Sequence, residues 1–233
     1  MTLKLFDLAG QDDAMRFSPF CWRAKMALRH KGLEVEELPW RFTEKDRIAQ
    51  TGQGRVPVLV DGDRWIHESW DIALYLDERY PGNPLMAGDA ERAAARFLTF
   101  WADGTLHPLL RPLVILPVFN VTAEKDKPYF RENREKMLGV RLEDTCKDRA
   151  AAITSLHKAL APLESTLAGF AFLGGGKPNF SDYVVFGSLQ WANVVCAEEM
   201  LPANSSVSKW FGRMLDLFGG YARKAPTVPK HAA

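Results

Sequence analysis

The chain has 233 residues, of which 47% are hydrophobic, so it is long enough for one large domain or two modest domains with a buried core. Lys and Arg number 30 against 29 for Asp and Glu, and this balance indicates neither nucleic acid nor an anionic membrane as a partner. The three cysteines and five histidines lack the spacing of a metal site, so we expect no bound metal.

The same features predict where the protein works. An odd, sparse set of cysteines fits a reducing compartment, and the first residues lack the apolar segment of a secretory signal, so we expect a cytoplasmic protein. No run approaches 18 apolar residues, and Arg111 and several prolines interrupt the most apolar stretch, residues 109–119. We therefore expect no membrane span.

The first elements are a strand over residues 3–8 and a helix that begins at Ser18 and Pro19. Ser is a preferred N-cap and Pro fits the first helical turn, while apolar residues recur at helical spacing up to a stop at residues 31–32. Ser18 and Cys21 occupy the two ends of a C-x-x-C frame in which Ser replaces the first Cys. A hydroxyl there cannot exchange disulfides, but it can donate a hydrogen bond to a thiolate that a ligand brings to the helix N-terminus, which favours anions.

Each of these two residues keeps a second interpretation. Ser18 could serve only as an N-cap. Cys21, on the first turn, could have a lowered thiol pKa, although burial as a small hydrophobic residue is the favoured interpretation.

Residues 35–38 predict a second strand, and Asp61 and Gly62 predict a hairpin between strands at 56–60 and 64–67. Pro57 opens the third strand, which leaves the backbone groups of Val56 free for a ligand. Most X–Pro bonds are trans, so composition alone favours a trans bond before Pro57. A helix follows from Glu68 and Ser69, and residues 80–84 end it.

Three motifs in this order resemble a cytosolic glutathione transferase: the segment 18–23, the pair Val56-Pro57, and Glu68-Ser69 followed by an apolar helix. The amino-acid sequence around Ser18 and in residues 63–69 is most similar to bacterial β-aryl etherases and related Ser-type transferases. The resemblance implies an α/β N-terminal thioredoxin-like domain over residues 1–82, a linker at 83–88, and an all-α C-terminal domain over residues 89–233.

The resemblance also implies a role for each matching residue. Ser18 would hydrogen-bond the sulfur of glutathione, the co-substrate, and favour its thiolate. The backbone of Val56 would pair with the cysteinyl part, next to a cis Pro57. Glu68 and Ser69 would hold the γ-glutamyl end, and Arg55 would contact the glycyl carboxylate. The alternatives are a solvated loop charge for Arg55 and helix-start chemistry alone for Glu68 and Ser69.

The second half predicts helices almost throughout. Prolines interrupt residues 107–117, which we expect to be kinked or broken, and the pair Asn179 and Asp182 forms a structural capping box. The tail from Tyr221 onward is expected to be loosely ordered. Aromatic residues that could line an apolar second-substrate pocket are Trp40, Phe17, Phe20, Trp101, His107, Tyr129 and Trp191.

The predicted function is that of a glutathione S-transferase that directs the glutathione thiolate at a small hydrophobic, aromatic electrophile. The alternatives are glutathione-dependent cleavage of β-aryl ethers and, in another class, a non-catalytic carrier of hydrophobic ligands. The resemblance further implies a homodimer, in contact through the helices that begin at Glu68 and Asp89.

Overall fold

The computed structural model describes residues 2–231 of the chain. The strands are β1 (Leu3–Leu8), β2 (Val35–Trp40), β3 (Val58–Asp61) and β4 (Arg64–His67). The α-helices are α1 (Pro19–His30), α2 (Ser69–Arg79), α3 (Asp89–Trp101), α4 (His107–Val121), α5 (Lys127–Leu138), α6 (Arg149–Ala159), α7 (Ala161–Gly169), α8 (Phe180–Val195) and α9 (Ser206–Gly220).

The four strands form one mixed sheet in the order β2-β1-β3-β4. β1 and β2 are parallel and are joined through α1, whereas β3 runs antiparallel to both β1 and β4. Asp61 pairs with Arg64 across the predicted hairpin, and Gly62 takes a positive φ of 60° there. This arrangement confirms the predicted fold class, an α/β thioredoxin-like domain followed by an all-helical domain.

Helix α1 is buried on several sides, because it packs against α8 and α2 and contacts the sheet, where Lys25 meets Asp7 of β1. Its apolar stripe is therefore only part of its buried surface, and Arg23 and Lys25 are buried as well, at 1% and 2% exposure. Each has a carboxylate partner: Arg23 Nη2 lies 2.7 Å from Asp103 Oδ1, and Lys25 Nζ lies 2.8 Å from Asp7 Oδ2. Pairing of this kind is what makes buried charge tolerable.

Gly187 of α8 sets how closely the two helices approach. A Cβ atom on this residue would clash with the carbonyl oxygen of Pro19 and would lie 3.1 Å from Cγ of Arg23. The first turn of α1, which follows Ser18, thus packs directly on the α8 backbone.

A kinked or a broken helix was expected over residues 107–117, and the structure contradicts the break. α4 continues through Pro112 and Pro117, and a π-helical turn over Ala102–Leu106 joins it to α3. Pro117 cannot donate a hydrogen bond to the carbonyl of Leu113, but Arg149 Nη1 donates to that oxygen at 3.1 Å. Arg149 in turn forms a bidentate ion pair with Glu198, so a tertiary contact replaces the missing helical bond.

The continuous helix also bears on the prediction that the chain has no membrane span. The segment Asp89–Val121 is 33 residues long, and its most apolar 18-residue window has a mean hydropathy of 1.2, with 39% of the window buried. By length and composition alone this segment could cross a membrane, so Arg111 and the prolines do not exclude a membrane span. Core helices of water-soluble proteins pass the same test, and both α3 and α4 pack against α8.

The expectation of a loosely ordered tail is also wrong for the residues that the structure describes. Val228 N–H donates to Val194 O at 2.9 Å, and Lys230 Nζ donates to the carbonyls of Asn193 and Cys196 at 2.9 and 3.0 Å. The tail therefore satisfies carbonyl groups that the end of α8 leaves without helical partners.

The contact at Gly187 generates a test. We expect Gly187→Ala to lower the free energy of unfolding by about 1–3 kcal/mol, because overpacking between helices outweighs the better helix propensity of Ala. Gly212→Ala is the matched control, since Gly212 also lies in a helix and its Cβ would meet nothing within 4 Å. Urea unfolding measures both variants, and equal stability of the two would contradict the close approach.

Candidate active site

The sheet register brings three of the predicted site segments to one edge. β1 ends at Leu8 and leads through a loop to Ser18 at the start of α1. β3 begins at Val58, which pairs with Phe6 of β1 and with His67 of β4. The segment before β3 and the segment after β4 therefore lie at the edge where β1 ends. Arg55 and Val56 are in the first segment, and the second is the start of α2.

Ser18 caps α1 as predicted. It has extended backbone angles, and its Oγ accepts a hydrogen bond from the Cys21 N–H at 3.3 Å. The hydroxyl also lies within hydrogen-bond reach of the Cys21 thiol, and this contact acts to lower the pKa of that thiol. Burial outweighs it and keeps the thiol protonated, so the only acceptor beside the Ser18 hydroxyl is a weak one. Only 4% of Ser18 is exposed.

Cys21 is fully buried, and burial together with the nearby Asp7 carboxylate raises the pKa of its thiol well above the usual value. The helix N-terminus does not compensate for lost hydration here, so the buried interpretation of Cys21 holds and the lowered-pKa interpretation is wrong.

The bond between Val56 and Pro57 is cis, as the resemblance implies and contrary to the expectation from composition. Within the described residues the N–H and C=O of Val56 have no hydrogen-bond partner. Arg55 is exposed, and its backbone N–H and C=O are both held by the Gln53 side chain, at 2.6 and 2.8 Å. The loop is therefore fixed, while the Val56 backbone and the Arg55 side chain remain available.

Glu68 precedes α2 with φ 65° and ψ 127°, in a region that a non-glycine residue rarely adopts. Its side chain is exposed and makes no capping hydrogen bond to the helix, whereas Ser69 is buried at 5% exposure. Helix-start chemistry alone does not account for this geometry, because a simple N-cap has extended angles and bonds the first turn. Strained backbone of this kind is common where a ligand is held.

A polar cluster behind Ser18 was missed by sequence reasoning. The π-helical turn carries Asp103, which pairs with Arg23, and His107 Nε2 lies 2.9 Å from the Ser188 hydroxyl of α8. Burial and the nearby Arg23 charge lower the pKa of His107 to about 3, so its imidazole is neutral at physiological pH. No sequence signal could have identified this cluster, because its members lie on α1, α4, α8 and the π-helical turn, which only the packing brings together.

The structure separates the predicted aromatic candidates into two groups. Trp40, Phe17 and His107 are core residues, at 2%, 1% and 5% exposure. The half-buried members are Phe20, Trp101, Tyr129 and Trp191. Phe20 contacts the edge of His107 at 5.3 Å between ring centroids, and His107 contacts Trp191 at 5.8 Å, so aromatic surface surrounds the start of α1.

A separate surface cavity of about 340 Å³ is lined by the loop before Ser18, by α1 and β2, and by the end of α9 with the segment after it. Trp22, Lys25, Glu37 and Tyr221 are among its lining residues. Because none of the predicted site residues lines it, we place the candidate active site at the sheet edge on chemical grounds and not by cavity size.

Both halves of the chain match known proteins. The family model "Glutathione S-transferase, N-terminal domain" matches residues 14–84, and "Glutathione S-transferase, C-terminal domain" matches residues 93–219. Glutathione transferase GST 23 of Zea mays is 31% identical over 214 residues, which cover 86% of this chain and 82% of that protein. Omega-1 glutathione S-transferase of Mus musculus is 26% identical, with 86% and 74% covered.

Solved structures show the same fold. A glutathione S-transferase of Ceriporiopsis subvermispora, in complex with glutathione, superposes with a TM-score of 0.74 at 21% identity, covering 97% of this chain and 95% of that one. Glutathione transferase GSTFuA3 of Phanerochaete chrysosporium superposes with a TM-score of 0.75 at 22% identity, with 96% and 94% covered. From the two family models and the maize relative together, the chain belongs to the glutathione S-transferase family.

Proposed function

We propose that this protein binds glutathione at the sheet edge and uses Ser18 to stabilise its thiolate for attack on an electrophilic carbon. The observation that carries the proposal is the Ser18 hydroxyl, whose oxygen accepts from the Cys21 N–H and whose hydrogen has only the protonated Cys21 thiol, a weak acceptor, within reach. An oxygen in this state at the N-terminus of a helix can donate to a sulfur anion while the helix favours the negative charge.

The magnitudes are sufficient for this role. A free thiol has a pKa of about 8.5, so only a few per cent is thiolate at pH 7. One charge-assisted hydrogen bond contributes about 1.5–3 kcal/mol, and one pKa unit corresponds to about 1.4 kcal/mol. The Ser18 contact can therefore lower the thiol pKa by about one to two units, which makes a large part of bound glutathione ionised at pH 7.

The other predicted residues complete the site by their chemistry. The unpaired backbone of Val56 suits the cysteinyl part of glutathione, and Arg55 suits the glycyl carboxylate. Glu68 has the charge to bind the γ-glutamyl ammonium, while Ser69 and the first turn of α2 suit the neighbouring carboxylate. The strained conformation of Glu68 supports this assignment.

The second substrate is proposed to be a small aromatic electrophile, since half-buried aromatic side chains surround the start of α1. Cleavage of a β-aryl ether next to a ketone is one form of this chemistry. The resemblance of residues 63–69 to etherases favours it, and a phenolate, with a pKa near 10, is a competent leaving group. A carrier that binds glutathione and apolar ligands without turnover is the alternative from another class.

We also propose a cytoplasmic homodimer, with the domain division at residues 83–88. The exposed faces of α2 and α3 support the dimer contact. Phe97 and Phe100 of α3 are 69% and 62% exposed, and Arg96 lies between Phe100 and Trp70 of α2, at 4.4 and 4.7 Å from their ring centroids. An apolar patch that spans both helices is typical of a protein interface.

One titration distinguishes the role of Ser18 at the sulfur from the role of Glu68 and Ser69 in holding glutathione. We expect Ser18→Ala to raise the pKa of the bound thiol by about one unit or more with little change in Kd, because only the sulfur loses a partner. The double variant Glu68→Gln with Ser69→Ala should instead raise the Kd at least about tenfold and leave the bound thiol pKa unchanged. Thiolate absorbance against pH measures both quantities. Ser18→Thr keeps a hydroxyl cap and is the control, and identical titrations of wild type and Ser18→Ala would exclude the thiolate role.

A second measurement identifies the reaction. The protein is incubated with glutathione and a fluorogenic β-aryl ether ketone, and in parallel with 1-chloro-2,4-dinitrobenzene. Glutathione-dependent release of phenol is the expected result for an etherase, and turnover of the chloroarene alone indicates a general transferase. Absence of both reactions, while glutathione still binds, would reject an enzyme of either kind and favour the carrier.

The dimer is tested by sedimentation equilibrium at micromolar concentration. We expect twice the chain mass of 26.2 kDa, and Phe97→Glu together with Phe100→Glu should shift the mass toward that of one chain, because charge cannot be buried in an apolar contact. Phe170→Glu is the control, since Phe170 is exposed to a similar extent but lies outside both helices. A mass near 26.2 kDa for wild type would overturn the dimer.

A further inference from the structure

Four basic side chains next to the candidate active site have no carboxylate partner. Within residues 2–231, Lys45, Arg55, Arg111 and Arg134 make no ion pair within 4.0 Å, and we call them the cationic cluster. Other basic residues nearby are paired. Arg131 of α5, for example, contacts both Glu135 and Glu143, and Lys125 contacts Glu44.

Lys45 connects the sheet edge to helix α5. Its carbon chain packs beside Gly54, the residue before Arg55, at 3.1–3.5 Å from the position that a Cβ of Gly54 would take. Its ammonium group lies 4.9 Å from the centroid of the Tyr129 ring. The first turn of α5 is therefore held close to Arg55.

Arg134 lies one turn further along α5. Its guanidinium carbon is 5.1 Å from the ring of Phe130 and 6.0 Å from the ring of Phe42, the second residue after β2. Burial and the charges of Arg111 and Arg55 together lower the pKa of Arg134. These contacts place Arg134 at the junction of the two domains, within the field of Arg55.

Arg111 lies on α4, one turn after His107, and His107 contacts Phe20 next to the start of α1. The positive charge of Arg111 helps to lower the pKa of His107 and the pKa of Arg134. α4 also packs against α5, where the rings of Phe119 and Phe130 lie 6.3 Å apart, so the helix of Arg111 contacts both Phe20, through His107, and the helix of Arg134.

Like charges held together without counter-charges repel one another. Solvent weakens this repulsion at Lys45 and Arg55, which are exposed, and weakens it less at Arg111 and Arg134, which are half-buried. Such a cluster is explained when a ligand supplies the negative charge. The glycyl carboxylate of glutathione accounts for Arg55, but it cannot also pair with Arg111 and Arg134 on two other helices. A second anionic group beside the aromatic residues near Ser18 would supply the counter-charge for these two residues.

We propose that the second substrate is an aromatic electrophile that carries a carboxylate or sulfonate, bound by Arg111 and Arg134 while glutathione occupies the sheet edge. This inference rests on the proposed transferase function and narrows its substrate class. The acid group lies against the two guanidinium groups, which suit bidentate recognition of oxyanions. The ring lies against Phe20 and Tyr129, on the side of the cleft that faces the thiolate.

The test uses two electrophiles that differ in charge and little in size, 4-chloro-3-nitrobenzoate and its neutral amide, 4-chloro-3-nitrobenzamide. In both, the glutathione sulfur forms a bond to the chlorinated carbon, and chloride leaves with the electron pair of the C–Cl bond. The thiol proton has already passed to solvent. The ratio of kcat/KM for the benzoate to that for the benzamide, divided by the ratio of the uncatalysed rates, measures the preference for the anion.

We expect the wild-type preference to be about tenfold or more in favour of the benzoate. Arg111→Gln and Arg134→Gln should each reduce it at least about fivefold, with the KM for glutathione within about twofold of wild type. Arg111→Lys should keep part of the preference. Arg131→Gln is the control, because it removes the same charge from α5 at a residue that already has carboxylate partners.

Equal preference in all variants would overturn the inference. So would an effect of Arg111→Gln and Arg134→Gln confined to the KM for glutathione, which would assign the cluster to glutathione alone. If neither electrophile reacts, calorimetry with the unreactive pair 3-nitrobenzoate and 3-nitrobenzamide decides. Tighter binding of the benzoate, abolished by Arg111→Gln, supports the anion site while the proposed reaction fails, and equal binding rejects the anion site.

Discussion

The position of helix α1 between the sheet and helix α8 is the constraint on which the rest of the structure depends. A helix covered on both faces cannot turn its charged residues to solvent, so Arg23 and Lys25 are buried and each requires a carboxylate partner. The absence of a side chain at Gly187 permits α8 to approach the first turn closely. Together these contacts fix the N-terminus of α1, and with it the Ser18 hydroxyl.

The mixed sheet provides the second constraint. Because β3 is antiparallel to both of its neighbours, the chain enters β3 and leaves β4 at the same edge at which β1 ends. The sheet register alone therefore brings together the three loops that carry Ser18, Val56 and Glu68, and no contact between the loops is needed. The sheet is rigid, and the segments at its edge remain free to adopt conformations such as the cis bond before Pro57 and the positive φ of Glu68. This division of roles is typical of sites built on loops held by a rigid scaffold.

The helical domain supplies the opposite wall of the cleft, and its polar groups are distributed unevenly. Two groups far from the cleft are fully used: Arg149 replaces the hydrogen bond that Pro117 cannot make, and Asp182 accepts from three backbone N–H groups and from Trp210. At the cleft, Arg111 and Arg134 are half-buried and have no carboxylate partner among the described residues. Half-buried charge without a counter-charge beside a cleft is consistent with a ligand that supplies the negative charge.

The sequence by itself determined the order of elements and the residues at which the site begins. Helical spacing, Pro19 after an N-cap and Asp-Gly in a hairpin are local signals, and the structure confirms the elements that they predict. Local signals did not predict the cis bond, the unbroken α4 or the ordered tail, because distant groups decide these features. They favoured the burial of Cys21, but they could not reveal the cluster of Asp103 with Arg23 or the cationic cluster. Burial and electrostatic repulsion depend on which helices meet, and only the tertiary packing of α1, α4, α5 and α8 decides that.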